Sequence, residues 1–251
     1  MAEFLRIAGL VKRFGGVAAT DGLDLTLRQG EVHAVIGPNG AGKSTLIHQV
    51  SGALVPDAGL IAFEGRDITR MAMHERVAAG IARSFQVTNV FSRLGVLDNV
   101  ALAVQARRGS SFAFWRPAIA QGDVFAEAAQ LLERVGLASR AGDTAGTLSH
   151  GEQRRLEVAL ALATRARLLL LDEPMAGMDL AESAELVELL RSVRAQATLL
   201  LVEHDMDAVF RLADRISVLV YGRVIATGTP AEIRANDAVR RAYLGDDAAA
   251  A

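Results

Sequence analysis

The feature that most constrains the fold is a glycine-rich segment that directly follows a short apolar run. Residues 37–45 read Gly-Pro-Asn-Gly-Ala-Gly-Lys-Ser-Thr, and the run Val32-His33-Ala34-Val35-Ile36 before them is typical of a buried strand. This is the pattern G-x-x-x-x-G-K-S at the point where a strand ends and a helix begins. Its glycines let successive backbone N–H groups converge on a phosphate, and the following helix adds its positive N-terminus. The segment therefore predicts a phosphate-binding loop at the edge of an α/β sheet.

Residue types within this loop assign a chemical role to each position. Lys43 would reach the β- and γ-phosphates of a nucleoside triphosphate, and the Ser44 hydroxyl would hold Mg²⁺. Lys43 is one of only two lysines in a chain whose other basic residues are arginines, as expected where a slim ammonium is needed and a planar guanidinium would fit poorly. The candidate nucleotide-binding residues of the loop are Gly37, Asn39, Gly40, Ala41, Gly42, Lys43, Ser44 and Thr45.

The rest of the chain alternates strand and helix patterns around a helical insertion. Residues 4–36 contain short apolar runs separated by turn signals, which are Gly15-Gly16, Asp21-Gly22 and Gln29-Gly30. From residue 165 onward, helical segments alternate with short apolar strands, which are Leu168–Leu171, Thr198–Val202, Ile216–Val220 and Val224–Ala226. This alternation predicts a parallel sheet that is covered on both faces. Between these parts, Val96–Ala106 and Val124–Val135 have helical periodicity, so we expect an inserted helical subdomain.

Composition and charge exclude several classes of protein. The net charge of −2 creates no field that would draw the chain onto nucleic acid or an anionic membrane surface. The absence of cysteine excludes disulfides and thiol chemistry and fits a reducing compartment. The apolar runs are far shorter than the roughly 20 residues that a spanning helix needs, and the start of the chain lacks the apolar stretch of a secretory signal. We therefore expect a cytoplasmic protein with no membrane span of its own.

Two carboxylates follow the apolar run Leu168–Leu171. Ligands of open α/β sheets bind at the carboxyl ends of strands. Asp172 is therefore predicted to hold the water shell of Mg²⁺, and Glu173 to orient or deprotonate an attacking water. The alternative from these residues alone is a strand that ends in a solvated acidic turn. The phosphate loop elsewhere in the chain favours the catalytic interpretation.

Two further segments have both a structural and a functional interpretation. In Leu148-Ser149-His150-Gly151-Glu152-Gln153, Ser149 and Glu152 have the spacing of a capping box. The same helix start offers a hydroxyl and a glycine amide to a phosphate. His204 follows the apolar run Leu199–Val202 and Glu203. It is either a structural residue at a strand end or a neutral imidazole that contacts a γ-phosphate.

The order of these motifs resembles that of the ATP-binding subunit of ABC transporters, over essentially the whole chain. The motifs are the phosphate loop (Walker A), Gln86, Leu-Ser-x-Gly-x-Gln at 148–153, Asp172-Glu173 and His204. The resemblance implies an α/β fold with a P-loop (RecA-like) parallel sheet core, an antiparallel β subdomain and an inserted helical subdomain. It implies a single ABC ATPase domain over residues 1–251. In that domain, residues 1–86 and 155–251 form the nucleotide-binding core with the β subdomain, and residues 87–154 form the helical subdomain.

The resemblance also implies a site shared by two chains that dock head to tail. Each ATP would lie between the phosphate loop of one chain and the partner's signature segment, whose binding residues are Ser149, Gly151 and Gln153. Phe14 would stack on the adenine, with a core aromatic as the alternative, and Asp179 would bridge the dimer. The implied catalytic residues are Glu173, His204, Lys43 and Gln86, and the implied metal ligands are Ser44, Gln86 and Asp172. The signature segment departs from the family pattern Leu-Ser-Gly-Gly-Gln only at His150, which replaces the first glycine.

Several segments resemble the larger ATPase of branched-chain amino-acid importers, namely 83–91, an insertion at 106–122, 201–206 and 241–245. Closely similar chains serve urea/amide importers and lipopolysaccharide export, and a soluble ABC ATPase outside transport is the alternative of another class. In the insertion, Phe112, Phe114 and Trp115 form either a partner-facing patch or a hairpin packed on its own subdomain. The expected partners are a second ATP-binding subunit and separate membrane permeases, which would hold the chain at the inner face of the cell membrane.

Overall fold

Two sheets organise the part of the chain that the computed structural model describes, which is residues 3–83, 90–109 and 119–244. The strands are β1 (Glu3–Phe14), β2 (Val17–Arg28), β3 (Val32–Ile36), β4 (Ala58–Phe63), β5 (Arg66–Asp67), β6 (Ile81–Arg83), β7 (Leu168–Asp172), β8 (Thr198–Val202), β9 (Arg215–Val220) and β10 (Arg223–Gly228). The α-helices are α1 (Lys43–Ser51), α2 (Met73–Ala78), α3 (Val96–Arg107), α4 (Ile119–Arg134), α5 (His150–Ala163), α6 (Leu180–Val193), α7 (Met206–Leu212), α8 (Pro230–Ala235) and α9 (Asp237–Leu244).

The larger sheet has six strands in the order β10-β9-β3-β8-β7-β6. Its strands are parallel from β9 to β6, as their uniformly apolar sequences predicted, and every residue of β3, β7 and β8 is buried. The edge strand β10 is antiparallel to β9. Only Tyr221 and Gly222 separate these two strands, and so short a link allows a hairpin but no crossover.

The smaller sheet is antiparallel, with the order β2-β1-β4-β5. The turn signals Gly15-Gly16 and Gln29-Gly30 lie between strands, as predicted. The turn predicted at Asp21-Gly22 is wrong, because both residues lie within β2. The pairing with β1 shifts register there, and Gly22 has a positive φ of 68°. A bulge therefore uses the glycine that the sequence pattern assigned to a turn.

Alternate residues of the central strands face two separate hydrophobic cores. On one face of the sheet, Leu168, Leu170 and Leu200 pack with α1 and the antiparallel sheet. On the other face, the neighbouring leucines of β7 and β8 pack with helices α3 to α7. The helical insertion thus joins the larger core, and both faces of the parallel sheet are covered. Among the described helices, none combines the length and the hydropathy needed to cross a membrane.

Three arginines converge on one glutamate within the helical region. Glu127 of α4 accepts hydrogen bonds from Arg107 Nη2 at 2.8 Å and Arg108 Nη2 at 2.7 Å, both at the end of α3. Its other oxygen accepts from Arg165 Nη2, just after α5, at 3.1 Å. The bond from Arg107, together with those from the other arginines, lowers the pKa of Glu127 to about 2 against the opposing effect of burial. One ionised carboxylate therefore links three helices.

We predict that Glu127→Gln lowers the free energy of unfolding by about 1–2 kcal/mol at pH 7, less than the full pKa difference corresponds to because solvent screens part of the cluster. The folded-state pKa lies below the unfolded value, so this stabilisation is present above about pH 4.5 and is lost as the pH falls toward 2. Denaturant unfolding at pH 7 and near pH 3 measures the difference. Glu133→Gln, exposed on the same helix, is the matched control. An equal loss for Glu127→Gln at both pH values would contradict the linkage.

Candidate active site

The phosphate loop connects β3 to α1, and close backbone contacts require two of its three glycines. Gly42 has a φ of 105°, and a Cβ atom there would lie 2.0 Å from the carbonyl oxygen of Ala19. A Cβ at Gly37 would lie 2.1 Å from the carbonyl oxygen of Leu219. The backbone N–H of Gly222 also donates to the Ala41 carbonyl at 2.9 Å. The β9–β10 hairpin and the start of β2 therefore brace the loop from outside.

Lys43, the first residue of α1, points back into the loop. Its Nζ donates to the carbonyl oxygens of Gly37 at 2.7 Å and Pro38 at 3.1 Å, and the side chain is buried. Burial lowers the pKa of Lys43, while the charges of Glu173 and Asp172 act in the opposite direction. The ammonium is thus desolvated, lies near two carboxylates and has neutral dipoles as its hydrogen-bond partners.

Asp172, the last residue of β7, offers a buried carboxylate oxygen. Its Oδ2 accepts from Arg83 Nη2 at 3.3 Å, whereas Oδ1 has no hydrogen-bond partner in the described part of the chain. Burial raises the pKa of Asp172, and Arg83 opposes that effect. Ser44, in the first turn of α1, is half-buried and adds a hydroxyl. One carboxylate and one hydroxyl fit Mg²⁺, which takes few protein oxygens and completes its shell with waters and phosphates.

Glu173 and His204 face each other across the ends of β7 and β8. Glu173 has a φ of 50°, an uncommon conformation for a non-glycine residue. Its backbone N–H donates to the carbonyl of Val202 at 2.8 Å. His204 Nδ1 lies 3.9 Å from Glu173 Oε1, and the imidazole side chain is 62% exposed. The pair is therefore accessible to solvent, whereas Lys43 and Asp172 are buried.

Glu203 is a buried carboxylate of this site whose role was not predicted from the sequence. It is fully buried and accepts backbone hydrogen bonds from Met175, His204 and Asp205. The available signal was a charged residue directly after a five-residue apolar strand. Such a position requires an internal partner.

The signature segment begins α5 and contacts the loop after β7 and the start of α6. Ser149 is the N-cap of α5 and forms the predicted capping box with Glu152, with N–H···O distances of 3.2 and 2.8 Å. A Cβ at Gly151 would lie 2.7 Å from Glu182 Oε1, so α5 packs closely against the start of α6. The Nε2 of His150 donates to the carbonyl of Ala176 at 3.0 Å. The substituted residue of the motif thus contacts the segment after β7.

The structure also gives the contacts or exposure of Gln153, Asp179 and Phe14. Gln153 Nε2 donates to the Leu148 carbonyl at 3.2 Å. Asp179 caps α6, and its Oδ1 accepts from the Glu182 N–H at 2.8 Å. Phe14, the last residue of β1, is 53% exposed and is therefore not a core aromatic. Among the predicted site residues and the aromatic residues of the insertion, Gln86, Phe112, Phe114 and Trp115 lie outside the described part of the chain.

Sequence comparisons match this chain to families of known description. The family model "ABC transporter" matches residues 20–176, and the model "Branched-chain amino acid ATP-binding cassette transporter" matches residues 223–249. The high-affinity branched-chain amino acid transport ATP-binding protein BraF of Pseudomonas aeruginosa is 38% identical over 249 residues, which cover 96% of this chain and 98% of the relative. The corresponding protein LivG of Escherichia coli is also 38% identical, with the same coverage.

Solved structures agree with the sequence comparisons. A nucleotide-free ATP-binding cassette from an ABC transporter superposes with a TM-score of 0.85 and 30% identity, covering 98% of this chain and 100% of the other. The ADP conformation of an ATP-binding cassette of an ABC transporter gives the same TM-score, identity and coverage. The predicted fold class, a P-loop sheet core with an antiparallel sheet and helical elements, is confirmed.

We predict that Gly42→Ala lowers both the affinity for ATP and the free energy of unfolding. Alanine at this position would have to keep the positive φ, which L-residues rarely adopt. Its methyl group would also force the Ala19 backbone away from the loop, and the two effects together cost about 2–4 kcal/mol. Gly30→Ala is the matched control, since Gly30 has a φ of 76° with open space around its Cβ position. It should lose only about 1 kcal/mol of stability and retain ATP affinity. Titration with a fluorescent ATP analogue and denaturant unfolding measure both effects, and equal results for the two variants would contradict the prediction.

Proposed function

This chain belongs to the ABC transporter family, and we propose that it hydrolyses ATP to power the import of branched-chain amino acids. ATP hydrolysis is the activity of ABC cassettes, and four residues fitted to it converge at one edge of the sheet. They are Lys43, Asp172, Glu173 and His204, which follow or end the neighbouring strands β3, β7 and β8. That convergence is the observation on which the proposed mechanism rests.

Binding follows from the loop and its lysine. The backbone N–H groups of residues 40–45 would surround the β-phosphate, and the N-terminus of α1 adds positive potential. Lys43 would exchange its two carbonyl partners for phosphate oxygens, a favourable exchange because the new partners are charged. Ser44 and Asp172 would hold Mg²⁺, which neutralises charge on the β- and γ-phosphates when bound. Gln86 and the remaining residues of the phosphate loop complete the proposed set of residues that bind the nucleotide and Mg²⁺.

In the proposed hydrolysis, a water molecule held by Glu173 would attack the γ-phosphate. Glu173 would orient a water in line with the bond to the leaving oxygen and accept its proton as the new O–P bond forms. The bond between the γ-phosphorus and the bridging oxygen breaks, which releases ADP and phosphate. His204, 3.9 Å from Glu173, would donate a hydrogen bond to the γ-phosphate. Charge on the transferring group is then met by preorganised donors.

A second chain would complete the site. Ser149, Gly151 and Gln153 contact their own helix and the region of α6, not the phosphate loop of the same chain. An exposed serine at a helix N-terminus is suited to a phosphate that another molecule presents. We therefore infer a head-to-tail dimer in which Phe14 stacks on adenine and Asp179 lies at the contact between the chains. The exposure of Phe14 and Asp179 supports this arrangement.

The substrate and the membrane partners are inferred from relatives. BraF and LivG are named as branched-chain amino acid transport proteins, and the family model at residues 223–249 also describes a branched-chain amino acid transporter. Transport would need separate permease subunits, which would hold the chain at the cytoplasmic face of the membrane. Urea or amide import and lipopolysaccharide export are the alternatives among similar chains.

We predict that Glu173→Gln retains ATP binding and loses steady-state turnover by at least about 100-fold, because the amide cannot accept the proton of the attacking water. Lys43→Ala should instead lose affinity for ATP, since the loop's cation is removed. Phosphate release and titration with a fluorescent ATP analogue distinguish the two losses. Glu185→Gln, exposed on α6, is the control. Hydrolysis by Glu173→Gln at the wild-type rate would remove Glu173 from its proposed role.

We predict that this chain, reconstituted in proteoliposomes with its permease subunits, drives ATP-dependent uptake of leucine in the presence of the binding protein of the system. Uptake of radiolabelled leucine, urea and acetamide is compared under identical conditions. The Glu173→Gln complex controls for leakage, since it should bind ATP and transport nothing. Uptake of urea or acetamide without leucine would reject the proposed substrate and retain the ATPase function.

A further inference from the structure

We propose that Glu203 is a positioning residue that holds the catalytic Glu173 and His204 in their relative placement. The inference rests on the proposed ATPase function and concerns how the same site is built. In this proposal, Glu203 links the loop after β7 to the loop after β8.

The contacts of Glu203 join both loops to one carboxylate. Its Oε1 accepts from the backbone N–H of Met175, two residues after Glu173, at 2.8 Å. Its Oε2 accepts from the N–H of His204 at 2.9 Å and of Asp205 at 3.3 Å. Both oxygens are therefore occupied, each by a different loop.

This carboxylate continues the pairing of β7 and β8 beyond the point where the backbone ladder ends. The last backbone bond runs from the N–H of Glu173 to the carbonyl of Val202. The next residue, Pro174, has no N–H with which to continue the ladder. The N–H of Met175 binds the Glu203 side chain instead. Without this bond, the loop after Glu173 would have no hydrogen bond to the loop of His204 among those the structure gives.

Glu203 is also held in place from the opposite side. Its own N–H donates to the carbonyl of Val35 in β3 at 3.4 Å, and the side chain has no exposed surface. Burial raises the pKa of Glu203, and the three backbone donors oppose that effect. A buried carboxylate at the end of an apolar strand is costly, and the hydrogen bonds from the three donors offset that cost.

The chemistry of the contacts requires an acceptor at both oxygens. Glutamine would keep the length of the side chain but replace one accepting oxygen with an NH₂ group, which would then face an N–H of one loop. Aspartate would keep both acceptors but is shorter by one methylene, so it cannot reach both loops from the same backbone position. Each substitution should release one loop and change the Glu173–His204 geometry.

The test is steady-state ATP hydrolysis by Glu203→Gln in the full-length chain. We expect kcat to fall at least about tenfold while KM for ATP stays within about threefold, since the phosphate loop is unchanged. The double variant Glu203→Gln/His204→Ala should lose less than the product of the single effects, because both changes act on the same pair. A merely structural role would give multiplicative losses and lowered ATP affinity.

Glu31→Gln is the matched control for loss of a buried carboxylate. Glu31 precedes β3 at the opposite end of the sheet, and its Oε1 accepts from His33 Nδ1 at 3.0 Å. It should lose stability and retain kcat. A wild-type kcat in Glu203→Gln overturns the positioning role. If Glu203→Gln does not fold, Glu203→Asp is tested in the same way; failure of both to fold makes Glu203 a folding residue and also overturns it. A wild-type chain without ATP hydrolysis would contradict the proposed function itself.

Discussion

The parallel pairing of β3, β7 and β8 is the constraint on which the active site depends. In this register, Asp172 lies beside Val202 and Val35 lies beside Val202 on the other flank. Three strands therefore end at one level, and the residues that follow each strand meet at one edge. A shift of two residues in either pairing would displace a predicted catalytic residue by about 7 Å, while every buried leucine would still face its own core. Apolar packing alone therefore does not fix the site, and the backbone register does.

Features that depend on local sequence could be predicted, and those that depend on distant contacts could not. The buried strands were found because uniform apolar runs have few other folds available to them, and the box of Ser149 and Glu152 because capping involves residues three apart. The bulge at Gly22 was missed because a glycine with positive φ serves a turn and a bulge equally well. The apolar run Val224–Ala226 was predicted to belong to the parallel sheet, but β10 is antiparallel to β9. The short link at Tyr221 sets this direction, and a pattern of apolar runs gives no information on strand direction.

The site was predicted as a set of residues but not as a set of contacts. Lys43, Asp172 and Glu173 are close enough for the two carboxylates to act on the charge of the lysine, as their motifs predicted, and their catalytic roles stay predictions. The brace from Gly222 to Ala41 and the link from Glu203 to Met175 join residues far apart in sequence, so no periodicity reveals them. The same reason hides the contact of His150 with the Ala176 carbonyl. Each of these contacts orients a loop, which is the information that a motif leaves out.

Burial of charge connects the stability of this site to its function. Burial lowers the pKa of Lys43 and raises the pKa of Asp172 and Glu203, so each group is disfavoured in its charged form by its surroundings. A fold that only maximised stability would replace these residues with apolar ones. Charges held away from water act more strongly on a phosphate group and need no rearrangement when charge develops on it. The desolvation that destabilises the sheet edge is therefore the property that, in the proposed mechanism, would let this edge bind and hydrolyse a nucleotide.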